Sequence, residues 1–257
     1  MRSRLTLGSL LVGTIISVGT AFADSSCLTV MTGIQSLATL SANSGNCLVI
    51  GDKEFFNFQF IPDPQNASVS AAGISVTTIG TGTPGDLYGI DFGSNLGSLN
   101  NLNGASTLSM DYEIKYSVEA TGGFLVSDIS QLINGSAISN NQTLNPNSGI
   151  VVTETATDHA GSGSNANSTV SINPDNFVEP PAQAGDILVM NLNGVPTPVV
   201  QADITKDVRI DAGAGDKVTL SLIEQRFSQV PEPRTYALLL GLGLAAMAWK
   251  KRAAAAA

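Results

Sequence analysis

Between Thr107 and Ala120 the chain alternates without a break. Leu108, Met110, Tyr112, Ile114, Tyr116, Val118 and Ala120 fall on one side, and Thr107, Ser109, Asp111, Glu113, Lys115, Ser117 and Glu119 on the other. A period of two places successive side chains on opposite faces of a strand, so this segment predicts a half-buried strand. One wet face suits an antiparallel sheet.

Weaker versions of the pattern recur. EFFNFQF (54–60) predicts Phe56, Phe58 and Phe60 on one face, and DLYGIDF (86–92) aligns Tyr88, Ile90 and Phe92. GIVVTET (149–155), TVSIN (169–173), DILVMNL (186–192) and QADITKDVRI (201–210) are further strand candidates. KVTLSLIEQRFSQ (217–229) starts with Val218, Leu220 and Leu222 on one face, then moves its bulk to Ile223 and Phe227. That shift predicts a bulge or a change of sheet. Turn chemistry lies between the segments: PDPQN, GTPGD, NLNG, NGS, NPNSG, INPDN, LNGVP and DAGAGD. Roughly ten strands punctuated this way predict an all-β fold, an antiparallel β-sandwich or jelly roll. SDISQLINGS (127–136) carries Ile129, Leu132 and Ile133 at a spacing that admits one short helix. DHAGSGSNANS (158–168) reads as a long loop, and no internal repeat stands out.

The two ends break the pattern. Arg2 and Arg4 precede an apolar stretch from Leu5 to Phe22, which closes on Ala21-Phe22-Ala23 before Asp24. A basic start, an apolar middle and an A-x-A site predict a secretory signal peptide over residues 1–23, cleaved between Ala23 and Asp24 by signal peptidase. An uncleaved anchor helix is the competing reading. At the other end, Tyr236 to Trp249 is 14 residues without a formal charge, followed by Lys250, Lys251 and Arg252. As a helix it measures about 21 Å, short of the roughly 30 Å hydrocarbon core. Snorkelling of the cationic cluster and local thinning help such a segment span. Tyr236 and Trp249 stand where interfacial aromatics stand, and the positive cluster predicts a cytoplasmic end with the large domain outside. Pro231 and Pro233 favour an extended approach to that helix.

Pro231-Glu232-Pro233, the short apolar helix and the basic cluster, in that order, resemble the PEP-CTERM sorting signal of Gram-negative exopolysaccharide-producing bacteria. The resemblance covers residues 230–257, and Ala253–Ala257 extend past the point where the family usually stops. It implies recognition by an exosortase, transient insertion in the inner membrane, removal of the tail near the PEP motif, and delivery to the cell surface or extracellular matrix. An ordinary C-terminal membrane anchor is the competing reading. Residues 24–229 are then the exported β domain. The cysteine pair, GDKEFFNF and SLIEQRFSQ also make this region similar to the matrix-type domain often found before this signal.

Charge and cysteines narrow the function further. From Asp24 to Gln229 there are 20 acidic and 6 basic residues, a formal net charge of −14. Nucleic acid needs Lys/Arg clusters, which this stretch lacks. Cys27 and Cys47 enclose 19 residues. Behind a secretory signal they predict a disulfide, worth roughly 3 kcal/mol for a loop of that size.

Catalytic chemistry has thin support. The single histidine, His159, sits beside Asp158 in a Gly/Ser-rich loop, and no G-x-S-x-G motif is present. Asp111, Glu113 and Glu119 share the polar face of the best strand, where two carboxylates are able to serve a glycosidase but more often form a solvated face. Asp203, Asp207, Asp211 and Asp216 crowd the last third, and DAGAGD offers oxygen ligands without the full series of a calcium loop. No cofactor motif is found. The expectation is a non-catalytic surface or matrix protein, structural or adhesive in biofilm or floc, with exopolysaccharide as its partner. A carbohydrate- or calcium-binding module and a secreted hydrolase are the alternatives.

Overall fold

A computed structural model of the chain describes residues 27–64, 69–80, 88–161, 163, 165–174, 182–231, 237, 240–244 and 246–247. The signal-cleavage pair Ala23 and Asp24 lies outside the described residues. So do Glu232, Pro233, Tyr236, Trp249 and the cluster Lys250, Lys251 and Arg252.

In chain order the strands are β1 (Thr29–Met31), β2 (Gln35–Ser36), β3 (Asn46–Ile50), β4 (Lys53–Pro62), β5 (Ser75–Ile79), β6 (Tyr88–Gly93), β7 (Ser98–Asn100) and β8 (Leu108–Ala120). There follow β9 (Phe124–Ser139), β10 (Gly149–Asp158), β11 (Asn165–Ile172), β12 (Ala182–Val189), β13 (Asn191–Leu192), β14 (Val195–Pro196), β15 (Gln201–Ala212) and β16 (Asp216–Pro231). They form two sheets. One has nine strands in the order β1-β3-β4-β8-β15-β10-β11-β13-β14; the other runs β12-β9-β16-β6-β5-β2, with β7 also paired to β16. Pairing is antiparallel throughout except for β1 beside β3. The two inner faces supply one core, as in a β-sandwich. Among the strands lies one short helix, α1 (Leu37–Ser41), capped by Ser36, whose hydroxyl accepts from the Thr39 amide at 3.1 Å, and it buries Leu37 and Leu40.

The alternation of 107–120 is β8. Met110, Tyr112, Ile114, Tyr116, Val118 and Ala120 are buried against the other sheet, while Leu108 stays exposed at the start of the strand. The end of its polar face departs from expectation, because Ser117 and Glu119 are buried too. Tyr88, Ile90 and Phe92 share the buried face of β6 as the pattern requires. The predicted bulge in the last strand is present, as a register shift between Leu220 and Leu222 against β9. It lets Val218 and Leu220, then Ile223, Gln225 and Phe227, all face inward.

Three readings are corrected. Residues 127–136 are not helical but part of β9, which is held on both sides by β12 and β16. Two long-range ladders outweigh a three-residue local signal, and Leu132 turns away from the buried row of Ile129 and Ile133. Phe56, Phe58 and Phe60 do not share a face. Asn57 adopts a positive φ of 56° at a register shift between Phe56 and Gln59, so Phe56 pairs beside Ser117 on the outer face while Phe58 stacks on Tyr116 inside, centroids 5.6 Å apart. The loop expected over 158–168 is shorter than that: β10 runs to Asp158 and β11 starts at Asn165, its Asn and Ser side chains alternating with buried Ala166 and Val170.

Cys27 and Cys47 form a disulfide, with Cα atoms 5.4 Å apart. It fastens the N-terminal segment to β3. The last strand, β16, ends at Pro231. Ala237, Leu240–Leu244 and Ala246–Met247 are helical, and among these described residues Leu240, Leu242, Leu244 and Met247 are each at least 60% exposed, outside the core. No helix among the described residues is long and apolar enough to cross a membrane.

Candidate functional site

The outer face of the nine-stranded sheet carries most of the polar candidates. β8 and β15 pair so that Glu119 meets Gln201, Ser117 meets Asp203, Glu113 meets Asp207 and Asp111 meets Arg209. At one end this face hollows into a cleft of about 360 Å³ lined by Leu28, Ser44, Phe56, Ser117, His159 and Gln201, among others. His159 Nδ1 contacts Asp203 Oδ2 at 2.8 Å, and Ser117 Oγ donates to Asp203 Oδ1 at 2.6 Å. Asp203, not the neighbouring Asp158, is therefore the histidine's partner. The arrangement has the carboxylate in the middle. Ser117 gives its proton to Asp203, whereas nucleophilic attack needs the hydroxyl directed at the imidazole. Glu119 is buried and pairs across the strands with Gln201, which lines the cleft. Burial, then the charge of Glu54 beside it, raises its carboxyl above the usual range, and His159 opposes them.

The other acidic candidates are dispersed or engaged. Glu113 pairs with Lys115 at 2.7 Å. Asp211 accepts from Arg209 at 2.9 Å and from the Ser109 hydroxyl at 2.5 Å. Asp216 is buried and accepts from the Asn145 amide and the Ser148 hydroxyl, at 2.7 and 2.6 Å, so it serves to pin the preceding loop. Among the described residues no group of three His, Cys, Asp or Glu is placed to hold a metal ion. Among the described residues no aromatic ring is one of the exposed large hydrophobic side chains.

Two carboxylates give the domain a pH signature. Burial, the hydrogen bond to Asp207 and the charges of Asp207 and Asp63 push Asp111 up to about 6, with Arg209 opposing. Burial and the charge of Glu224, its cross-strand neighbour, push Asp91 up to about 6, with Arg226 opposing. In both cases folding disfavours the ionised form. Stability is then greatest with both groups protonated in the folded chain, and it falls as pH rises from about 4 through about 6. The melting temperature is expected to be higher at pH 5 than at pH 7. Asp91→Asn combined with Asp111→Asn should flatten that difference; scanning calorimetry at the two pH values reads it.

A second cluster escaped the sequence reading. Lys206 of β15 and Glu154 of β10 are cross-strand partners, both fully buried, and Lys206 Nζ donates to Glu154 Oε2. In the opposite sheet Gln131 of β9 pairs with Gln225 of β16, and both are buried. The two pairs meet across the core. Lys206 Nζ donates to Gln131 Oε1 at 2.5 Å, and Gln225 Nε2 to Glu154 Oε1 at 3.2 Å. Burial lowers the Lys206 amine from its ordinary range, against the opposing pull of Glu154. The signal in the sequence was a lysine on the apolar face of QADITKDVRI and a glutamate on that of GIVVTET.

The described strands form a two-sheet sandwich, and helical residues follow later in the chain. Residues 229–252 match the family model described as the PEP-CTERM protein-sorting motif. The chain thus carries a PEP-CTERM motif, the mark of an exported protein that an exosortase sorts through the membrane. No curated protein matches it. Among solved structures it is similar to TmCBM61 in complex with beta-1,4-galactotriose, at 11% identity and a TM-score of 0.31, covering 66% of this chain and 88% of that one. It is also similar to the Stig cyclase Fisc from Fischerella sp. TAU, at 7% identity and a TM-score of 0.25, covering 68% of this chain and 85% of that one.

Proposed function

We propose that the chain is an exported, non-catalytic β-sandwich, released from a transient inner-membrane anchor to the cell surface or extracellular polysaccharide matrix. There it has a structural or adhesive role. In this reading signal peptidase cuts between Ala23 and Asp24 and exosortase removes the tail near Pro231–Pro233. The observation that carries the proposal is the matched sorting motif, which begins in the last three residues of the last strand and runs on past it. β16 ends at Pro231, so a cut near the PEP motif removes the apolar helix and leaves the strands paired. The strong negative charge of the domain keeps released copies soluble and apart.

Deletion of Pro231–Pro233 tests this. The unaltered chain is expected outside the cell, its mature C-terminus lying before the apolar helix by mass spectrometry. The deleted chain is expected to stay in the membrane fraction with Trp249 still attached. Unchanged release and tail loss from the deleted chain would refute the sorting step.

A further inference from the structure

The buried quartet has the composition of a reaction centre as well as of a core. It places the Lys206 amine in contact with both a primary carboxamide, that of Gln131, and a carboxylate, that of Glu154, between two β-sheets that bury all three. We propose that Lys206 and Gln131 join in an isopeptide bond formed by the folded chain itself, with Glu154 carrying the protons.

The chemistry balances without an outside reagent. Proton transfer from the Lys206 ammonium to Glu154 gives a neutral amine and a neutral acid, which burial favours over the ion pair. The lowered affinity of Lys206 for its proton has the same cause. Lys206 Nζ attacks Cδ of Gln131, one bond from the oxygen it already contacts at 2.5 Å, while Glu154 protonates that oxygen. Glu154 then takes a proton from the former lysine nitrogen and delivers it to the Gln131 amide nitrogen. The C–N bond breaks, ammonia leaves and the carbonyl re-forms, returning the last proton to Glu154. One amide replaces another; nothing is oxidised or reduced.

Three features favour reaction over a resting ion pair. Lys206, Glu154, Gln131 and Gln225 are each at most 1% exposed, so water competes poorly as nucleophile. Their backbones are fixed by ladders on both sides, which makes the attack effectively unimolecular. Gln225 Nε2 holds Oε1 of the carboxylate, leaving Oε2 to the amine. The product also removes a buried ammonium, which desolvation penalises. The bond would fasten β15 of one sheet to β9 of the other, between positions 75 residues apart. That suits a protein meant to bear load or resist proteases outside the cell, although the proposal does not depend on the sorting reading.

Mass spectrometry of the full chain decides it. The folded protein is expected to weigh less than its sequence by one ammonia, beyond the two hydrogens of the disulfide. Digestion after glutamate should yield peptides 120–154 and 155–224 joined through Gln131 and Lys206. Chain recovered unfolded should start at full mass and lose ammonia on refolding, and Glu154→Ala should refold at full mass. Lys206→Arg, which keeps a cation but not the amine, should also stay at full mass, covering the case in which Glu154→Ala does not fold. Full mass in the folded wild-type chain, with the Lys206 amine free to acylation after denaturation, overturns the proposal. Loss of water instead of ammonia, with the link on Glu154, overturns it too.

Discussion

Lys206→Ala is expected to destabilise the domain by about 3–5 kcal/mol, because it strands the Glu154 carboxylate in the core. Glu154 is fully buried, and its other donor is the single Gln225 amide at 3.2 Å. One neutral hydrogen bond does not offset the desolvation of a carboxylate. Removing both charges is a different experiment. Lys206→Met with Glu154→Leu replaces the pair by apolar groups of similar length, an exchange that is often neutral. The double variant is therefore expected to recover most of the loss, and the part it does not recover measures any covalent contribution from Lys206. Denaturant midpoints of the three proteins give these numbers. If Lys206→Ala unfolds at the wild-type midpoint, Glu154 is solvated in the folded chain and the core is not dry there.

This pair also marks the boundary of what the chain's pattern discloses. Period-two alternation reports which residues share a face, and it located β6, β8 and the bulge of β16 because their inner faces are apolar. It treats a charge on the inner face as noise. Lys206 stands between Ile204 and Val208, and Glu154 between Val152 and Ala156, so each looks like a blemish in a good strand. Only the register, which pairs residue 154 with 206 in one sheet and 131 with 225 in the other, turns four blemishes into one cluster. Register between distant strands is set by the whole packed sandwich and has no local signature. The same limit explains β9. Gln131 interrupts the buried row of Ile129 and Ile133, and the spacing of Ile129, Leu132 and Ile133 admits a short helix there. The sorting tail is the opposite case, since its parts are contiguous and need no partner to be legible. His159 is intermediate. Its loop was visible, but its bond to Asp203, 44 residues away, was not.

Phe227→Ala is expected to cost about 3–5 kcal/mol, the usual range for emptying a buried phenylalanine site. Phe227 is fully buried, with its ring centroid 5.5 Å from that of Phe55 in the facing sheet. Phe55 lies 6.4 Å from Tyr116, which in turn contacts Phe58 and Phe92, so five rings link the sheets at this end of the core. Phe227→Leu keeps most of the volume and should cost no more than about 1.5 kcal/mol. The position matters beyond stability. Phe227 is the last inward side chain of β16 to be fully buried, and the residues from Ser228 to Pro231 are only half-buried. It therefore fixes the point at which the chain leaves the sandwich for the sorting motif. Fraying of β16 behind an empty site would lengthen the tether between folded domain and apolar helix. Phe227→Ala is accordingly expected to make the segment after Gln225 sensitive to proteases that spare it in the wild-type chain, while Phe227→Leu remains resistant. Limited proteolysis of the two variants beside the wild type reads the difference. Equal resistance in all three would show that the exit point is held by the β9 ladder, through Val230 and Leu125, and not by the aromatic core.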